Sequence, residues 1–194
     1  VDDLRHTQLP LMLVLGLVGG LVYLEPDMGT AAVLVVIGGS VLFFAGLRPA
    51  LVVGGGAVAV GLLVGLAMTA GYRRQRLFSL FDPWSDPLHT GWQAIQAGVA
   101  MSNGGLWGMG LGASRAKWGF LPYAQTDFIF AIVAEELGFV AAILVVLAFL
   151  AIGIIGLNTA LRAPDRFGQL LAAGITTWIV LQAYVNVGAV LGLL

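Results

Sequence analysis

FIFAIVAEELGFVAAILVVLAFLAIGIIGL, running from Phe128 to Leu157, holds only two charged residues, Glu135 and Glu136. A membrane span needs about 20 predominantly apolar residues, because the hydrocarbon core is roughly 30 Å thick. This stretch exceeds that length. In lipid the peptide groups find no water partner, so a run of this kind must satisfy its own hydrogen bonds as a helix.

The same pattern recurs on both sides. Leu9 to Leu24 is slightly short, Thr30 to Leu47 and Ala50 to Ala70 qualify, and Gly168 to Leu194 follows the anchor stretch. Breakers separate them: Glu25-Pro26-Asp27, Arg48-Pro49, and Arg162-Ala163-Pro164-Asp165-Arg166. The expectation is an all-α integral membrane protein. Residues 1–194 form a single membrane domain with five transmembrane helices of a polytopic bundle. Glycine occurs 28 times, with Gly54-Gly55-Gly56 inside the third run. Small residues let membrane helices approach closely, so packing accounts for nearly all of them.

Composition agrees. Hydrophobic residues make up 59% and charged residues 10%, and mean hydropathy is +0.97. A soluble domain carries about 25% charged residues. The net charge of −1 offers nothing to nucleic acid, which is not expected as a partner. Without cysteine there are no disulfides and no thiol chemistry. His6 and His89 are too few for a multi-histidine zinc site, and no organic cofactor is expected. The chain starts at Val1 with no basic-headed signal peptide, and reads as a stretch of a longer protein.

Between the third and fourth runs lies a large loop, 71–127, too long for a hairpin connection. It carries Arg73, Arg74, Arg76, Arg115 and Lys117, five of the nine cations. Short loops set membrane orientation, while long ones translocate regardless of charge. Arg48, Arg162 and Arg166 are therefore placed in the cytoplasm and the large loop outside, with Glu25 and Asp27. Within the loop, Trp92 to Met101 reads as a short helix with Trp92, Ile95 and Val99 on one face. It either lies in the membrane interface or is buried as a loop helix.

Four features of this region bear on chemistry. The glycine-rich run Gly104 to Gly112 is a tight turn or, less often, a nest of amides for phosphate oxygens. Thr126 and Asp127 stand just before the fourth run, where an N-cap belongs. A helix N-terminus favours negative charge, so Asp127 also suits a cation. Glu135 and Glu136 lie roughly 12 to 14 Å along the helix from Asp127. At helical spacing Glu135 falls about 80° from Asp127 and Glu136 about 180°. Glu135 is thus expected to share a cavity with Asp127 and Glu136 to look elsewhere, unless one or both pair with arginine or stay protonated. An ionised carboxylate within the membrane costs roughly 2.5–3.5 kcal/mol or more, so each needs a cavity or a partner. Arg73, Arg74 and Arg76 anchor to lipid headgroups or clamp a pyrophosphate. Glu25 and Asp27 flank Pro26 in a turn and helix start.

Several segments then resemble one family. They are Leu24-Glu25-Pro26-Asp27-Met28-Gly29-Thr30, Asp82-Pro83-Trp84-Ser85-Asp86-Pro87, Gly91-Trp92-Gln93, Leu121 to Phe130, and Glu135-Glu136-Leu137-Gly138. Together they resemble the SEDS family (RodA, FtsW and SpoVE), with Gly112-Ala113-Ser114 to Lys117-Trp118 closer to the FtsW branch. The resemblance implies five of about ten membrane helices, the fifth to ninth. It implies a peptidoglycan glycosyltransferase acting on lipid II in a bacterial inner (plasma) membrane, by inverting transfer with undecaprenyl pyrophosphate leaving. Asp127 is the implied catalytic residue, alone or with a divalent cation, Mg or Mn. Arg73, Arg74, Arg76, Arg115, Lys117 and Gln93 are the implied substrate and pyrophosphate ligands, and Glu135, Glu25, Asp27 and Thr126 line the cavity. Implied partners are a class B penicillin-binding protein and other division or elongation proteins. The sequence departs from the family pattern at Tyr123 and Gln125, where Glu and His are usual, at Glu25 for Gln, and at Trp92 for Tyr. Two rival functions stay open: a lipid II translocase, which would use Glu135 and Glu136, and a non-catalytic division scaffold.

Overall fold

The computed structural model describes residues 13–14, 16–18, 20, 28–69, 71, 84, 86–89, 91–119, 121–122 and 126–193. Among these there is no β-strand. Five α-helices follow one another: α1 (Met28–Phe44), α2 (Pro49–Thr69), α3 (Trp92–Gly104), α4 (Ile129–Arg162) and α5 (Arg166–Val190). A 3₁₀ turn, Ala116–Trp118, lies between α3 and α4. Four of the five expected spans thus appear as helices. Most of the first lies outside the described residues, although 13–14, 16–18 and 20 are helical.

α4 and α5, with 34 and 25 residues, are each long and apolar enough to cross a membrane. α1 and α2, with 17 and 21 residues, are apolar all round rather than along one stripe, as expected of helices set in lipid or in the interior of a bundle. The chain forms two compact units. One comprises Val1–Leu66 and Ile152–Leu181, the other Ala67–Ala151 and Gln182–Leu194.

In the first unit, α1 ends where Gly46 takes φ 91°. The Leu47 amide donates to the Leu42 carbonyl at 3.0 Å and the Gly46 amide to Phe43 at 3.0 Å. These are the two bonds of a Schellman stop, which needs a left-handed residue at this place. Pro49 then opens α2 at the position where a missing N–H costs nothing, and the Arg48 carbonyl accepts from Leu51 at 2.9 Å. α4 and α5 pack closely through small residues: a methyl group on Gly156 would collide with Thr176, the kind of contact that draws membrane helices together.

In the second unit, α3 packs on the start of α4 with Ala97 and Ala100 against Phe130, Ala131 and Ala134. The buried face of α3 is Ala97, Ala100 and Gly104, while Trp92 and Ile95 are half-buried and Val99 is exposed. Close approach selects small side chains, and Gly104 sits against the backbone of Ala134 and Glu135 where no Cβ would fit. The larger residues turn outward: Ile95 and Val99 line an open, mostly apolar cavity of about 400 Å³ with Trp84 and Leu191. One face of the helix is packed, with Ala97 wholly buried.

α4 does not run unbroken. Gly138 has φ 81° and ψ −179° in its midst, a conformation that glycine alone adopts readily. An uninterrupted helix of this length would reach about 51 Å, well beyond the hydrocarbon core. The part after the kink, about 36 Å by the same rise, spans the core unaided. Glu135 and Glu136 therefore sit on the short piece ahead of the kink, packed against the loop.

Candidate active site

Each candidate site residue among the described residues belongs to the second unit. Its frame is the segment from Gly104 to Gly119 wrapped around the kink of α4. Strand-like pairing holds the wrap: Phe139 donates to the Gly105 carbonyl at 2.9 Å and Val140 to Leu106 at 3.3 Å, while Met109 and Gly110 donate to the carbonyls of Glu135 and Glu136 at 2.9 and 3.0 Å. The kink frees those backbone groups from the helix ladder, and the loop takes them up.

The two carboxylates complete the wrap. Glu135 has no exposed surface. It accepts from the Ser114 hydroxyl at 2.6 Å, from the Arg115 amide at 3.3 Å and from the Ala116 amide at 3.4 Å. Glu136 accepts from the Gly112 amide at 3.0 Å, the Ser114 amide at 3.2 Å and Lys117 Nζ at 2.6 Å. The amides of Gly112, Ser114, Arg115 and Ala116, at and just past the end of the glycine run, form a nest whose anions are the protein's own glutamates. A desolvated carboxylate is tolerable only when its lone pairs are met by donors, and here they are.

This corrects two expectations. Glu135 does not open into a cavity with Asp127, because its oxygens are engaged by residues 114–116. Glu136 does not look elsewhere: it pairs with Lys117 of the same loop, a lysine and not an arginine. Lys117, expected to bind pyrophosphate, is taken: besides Glu136, its ammonium donates to the Gly112 carbonyl at 2.8 Å and lies 5.8 Å from the Trp118 ring centre.

Asp127 lies in the turn of residues 126–128 directly before α4, and it is exposed. No cap from the Asp127 carboxylate is seen among the described residues. The helix is opened instead by the Phe128 carbonyl, which accepts from Ala131 at 3.0 Å. Thr126 is exposed beside it. Phe128, Phe130 and Ala131 root this turn in the core that also holds Ala116 and Leu121. Burial of a side chain such as Phe130 or Leu121 is worth about 1.5–3 kcal/mol, so Asp127 and the 114–118 turn stand on one packed base. Gln93 is half-buried on α3 and Arg115 is exposed. Arg73, Arg74, Arg76, Glu25, Asp27, Tyr123 and Gln125 lie outside the described residues.

Among the described residues no three Asp, Glu or His side chains come together to hold a metal ion. Asp127 is one carboxylate, and both glutamates are committed to the loop. The described residues alone do not make a resident metal site.

These features define a helical membrane protein with an exposed carboxylate ahead of α4 and a loop clasped to that helix. The model of the FtsW/RodA/SpoVE family of cell cycle proteins matches residues 1–194, and the chain belongs to that family. It is similar to the stage V sporulation protein E of Bacillus subtilis (strain 168), 45% identical over 170 residues, covering 88% of this chain and 46% of that protein. It is also similar to a probable peptidoglycan glycosyltransferase FtsW of Geobacter metallireducens, 40% identical over 185 residues, covering 95% and 49%. A solved chain from work described as "Structural coordination of polymerization and crosslinking by a peptidoglycan synthase complex" superposes with a TM-score of 0.73 at 28% identity, over 100% of this chain and 54% of that one. The chain spans about half the length of the curated relatives it matches.

Proposed function

We propose that the full-length protein polymerises lipid II as a peptidoglycan glycosyltransferase, with Asp127 as its catalytic base. The observation that carries this reading is the exposed Asp127 carboxylate, engaged by no donor among the described residues, at the foot of a span and beside a rigid loop. Its two glutamate neighbours along the helix are by contrast fully used. A sugar hydroxyl needs a base placed within hydrogen-bond reach. Asp127 takes the proton of the acceptor 4-hydroxyl, whose oxygen forms the new bond at the anomeric carbon of the donor. The bond to the pyrophosphate breaks, and undecaprenyl pyrophosphate leaves with the electron pair. Arg115, together with Arg73, Arg74 and Arg76 from outside the described residues, neutralises that leaving group, and Gln93 and Thr126 contact the sugars. A divalent cation, Mg or Mn, would add charge stabilisation when bound, held by Asp127 and the substrate's own phosphates.

The protein resides in the bacterial inner membrane as a multi-pass chain, with the 71–127 loop outside. It works with a class B penicillin-binding protein and other division or elongation proteins. Support comes from the family, from the names of the relatives and from the synthase complex to which the chain is similar.

The test is polymerisation of purified lipid II by the full-length protein with its transpeptidase partner, with and without divalent cation. Asp127→Asn is expected to abolish polymer while membrane insertion and yield stay at wild-type level. Undiminished polymer from the variant overturns the assignment. Lipid II flipping without polymer points to a translocase, and complementation by Asp127→Asn points to a scaffold.

A further inference from the structure

Two cations stand two residues apart on the loop, and the structure treats them in opposite ways. Lys117 is only 25% exposed. Its ammonium has two oxygen partners, the Glu136 carboxylate and the Gly112 carbonyl, and one of those partners is a full counter-charge. Glu136 is itself held by two loop amides. An anionic ligand would have to compete with that carboxylate for Lys117.

Arg115 is the reverse. Its backbone is fixed at both ends, its amide donating to the buried Glu135 at 3.3 Å and its carbonyl accepting from Trp118 at 3.1 Å. Both flanking residues, Ser114 and Ala116, are buried. The Arg115 side chain is exposed, and among the described residues it forms no ion pair. A side chain that leaves a fixed backbone toward solvent is preorganised for a ligand, because less freedom is lost on binding. A guanidinium, unlike an ammonium, meets a phosphate with two parallel hydrogen bonds.

We propose that the loop divides its cations: Arg115 is the residue that binds the pyrophosphate of a lipid-linked substrate, and Lys117, with Glu135 and Glu136, is a positioning residue that holds Arg115 in place. The pyrophosphate as ligand rests on the proposed polymerase reading; the division of roles rests on the loop geometry. Simple electrostatics and this division predict opposite signs for one variant. Removing the Glu136 charge should tighten anion binding if Lys117 is the ligand, since it frees the ammonium. It should weaken binding if the pair serves only to fix the loop.

The experiment measures binding of undecaprenyl pyrophosphate to the full-length protein in nanodiscs of zwitterionic lipid. Arg115→Ala is expected to weaken binding about tenfold, the loss of one charge-assisted bidentate contact. Arg115→Lys should restore only part of it. Glu136→Gln and Lys117→Met should each weaken binding about threefold in a protein that still elutes as wild type, and neither should add to Arg115→Ala. Lys117→Arg, which keeps the ion pair, should bind as wild type. Tighter binding by Glu136→Gln, or independent, multiplying losses from Lys117→Met and Arg115→Ala, overturns the proposal. So does an Arg115→Ala effect that appears only when phosphatidylglycerol is added, which would make Arg115 a headgroup anchor. If Lys117→Met does not fold, Glu136→Gln alone decides the sign. The same preparations are assayed for lipid II polymer: a wild type that binds but makes none removes the polymerase reading and leaves the division of roles standing.

Discussion

Glu135 and Ser114 share a hydrogen bond of 2.6 Å with no more than 1% of either residue exposed. They are 21 positions apart in the chain, and this contact closes the loop onto the kinked helix. The two are unequal partners. Ser114→Ala takes one donor from a buried carboxylate, a loss of about 1.5–3 kcal/mol for a hydrogen bond to a charged group. Glu135→Ala strands the hydroxyl and the amides of Arg115 and Ala116 together, each costing about 1–3 kcal/mol when left unmet. Glu135→Gln keeps one acceptor oxygen and should fall between. The order expected in apparent melting temperature, followed by loss of the monodisperse peak in detergent, is Ser114→Ala, then Glu135→Gln, then Glu135→Ala lowest. Equal melting of Ser114→Ala and Glu135→Ala would mean that the carboxylate does not organise the loop.

Gly138 and Gly108 form the second prediction. A Cβ on Gly138 would run into the backbone of Leu106 and Gly108, and one on Gly108 into that of Glu136 and Leu137. Both also hold positive φ, 81° each. No side chain can rotate out of a clash with main chain, so alanine at either place must unseat the loop. Each variant should cost several times the ~1 kcal/mol of an ordinary glycine-to-alanine strain. Gly98→Ala on α3, where no atom lies within 4 Å of the new methyl, is the control and should be neutral or gain about 0.5–1 kcal/mol from helix propensity. Limited proteolysis reads the difference: faster cleavage between residues 104 and 119 is expected in the first two variants and not in the third.

The helices were legible in the sequence because a span is a local matter of length and polarity. Arg48-Pro49 and Asp165 marked true ends for the same reason; position alone made Asp127 a helix cap, and only the family resemblance pointed to it as a site residue. The clasp was not legible. It joins residues 19 to 24 positions apart, and nothing in local periodicity says that Glu136 faces Lys117. The kink misled in a second way, since Gly138 inside a continuous apolar run looks like any packing glycine. Only its positive φ sets the glutamates on a separate piece of α4. On α3 the apolar pattern pointed to Trp92, Ile95 and Val99 because it weighs large side chains, whereas backbone contact at Gly104 required the small ones.

Asp165 caps α5. Its Oδ2 accepts from the Gly168 amide at 2.7 Å, and its carbonyl accepts from Gln169 at 3.1 Å. An amide three residues on is the standard target of an N-cap carboxylate, and the helix N-terminus adds favourable charge. Asp165→Ala should cost about 1 kcal/mol and Asp165→Asn or Asp165→Ser much less. The measurement is the apparent melting temperature of the three variants in detergent. A fall for alanine matched by asparagine would show that the charge, not the cap geometry, carries the effect.

Gly156 faces Thr176 between α4 and α5, and an added Cβ would overlap Thr176 Cβ, Cγ2 and Oγ1. Thr176 has little freedom to yield, because its hydroxyl is bonded to the Ala172 carbonyl at 2.7 Å and only 8% of the residue is exposed. Apolar surface gives no drive for helices to associate within lipid, so close backbone approach through small residues must supply the contact. Gly156→Leu should therefore separate the helix pair where a substitution on an outward face, such as Ile155→Leu at 65% exposure, leaves it intact. A cysteine pair at Gly153 and Val180, whose side chain comes within 3.2 Å of a methyl built on Gly153, reports the spacing. Its oxidative cross-linking in membranes should be efficient in the wild-type background and with Ile155→Leu, and should drop severalfold with Gly156→Leu. The double change Gly156→Ala with Thr176→Gly, which moves the small residue to the other helix, should recover most of it. Undiminished cross-linking in Gly156→Leu would place the contact energy elsewhere on the two helices.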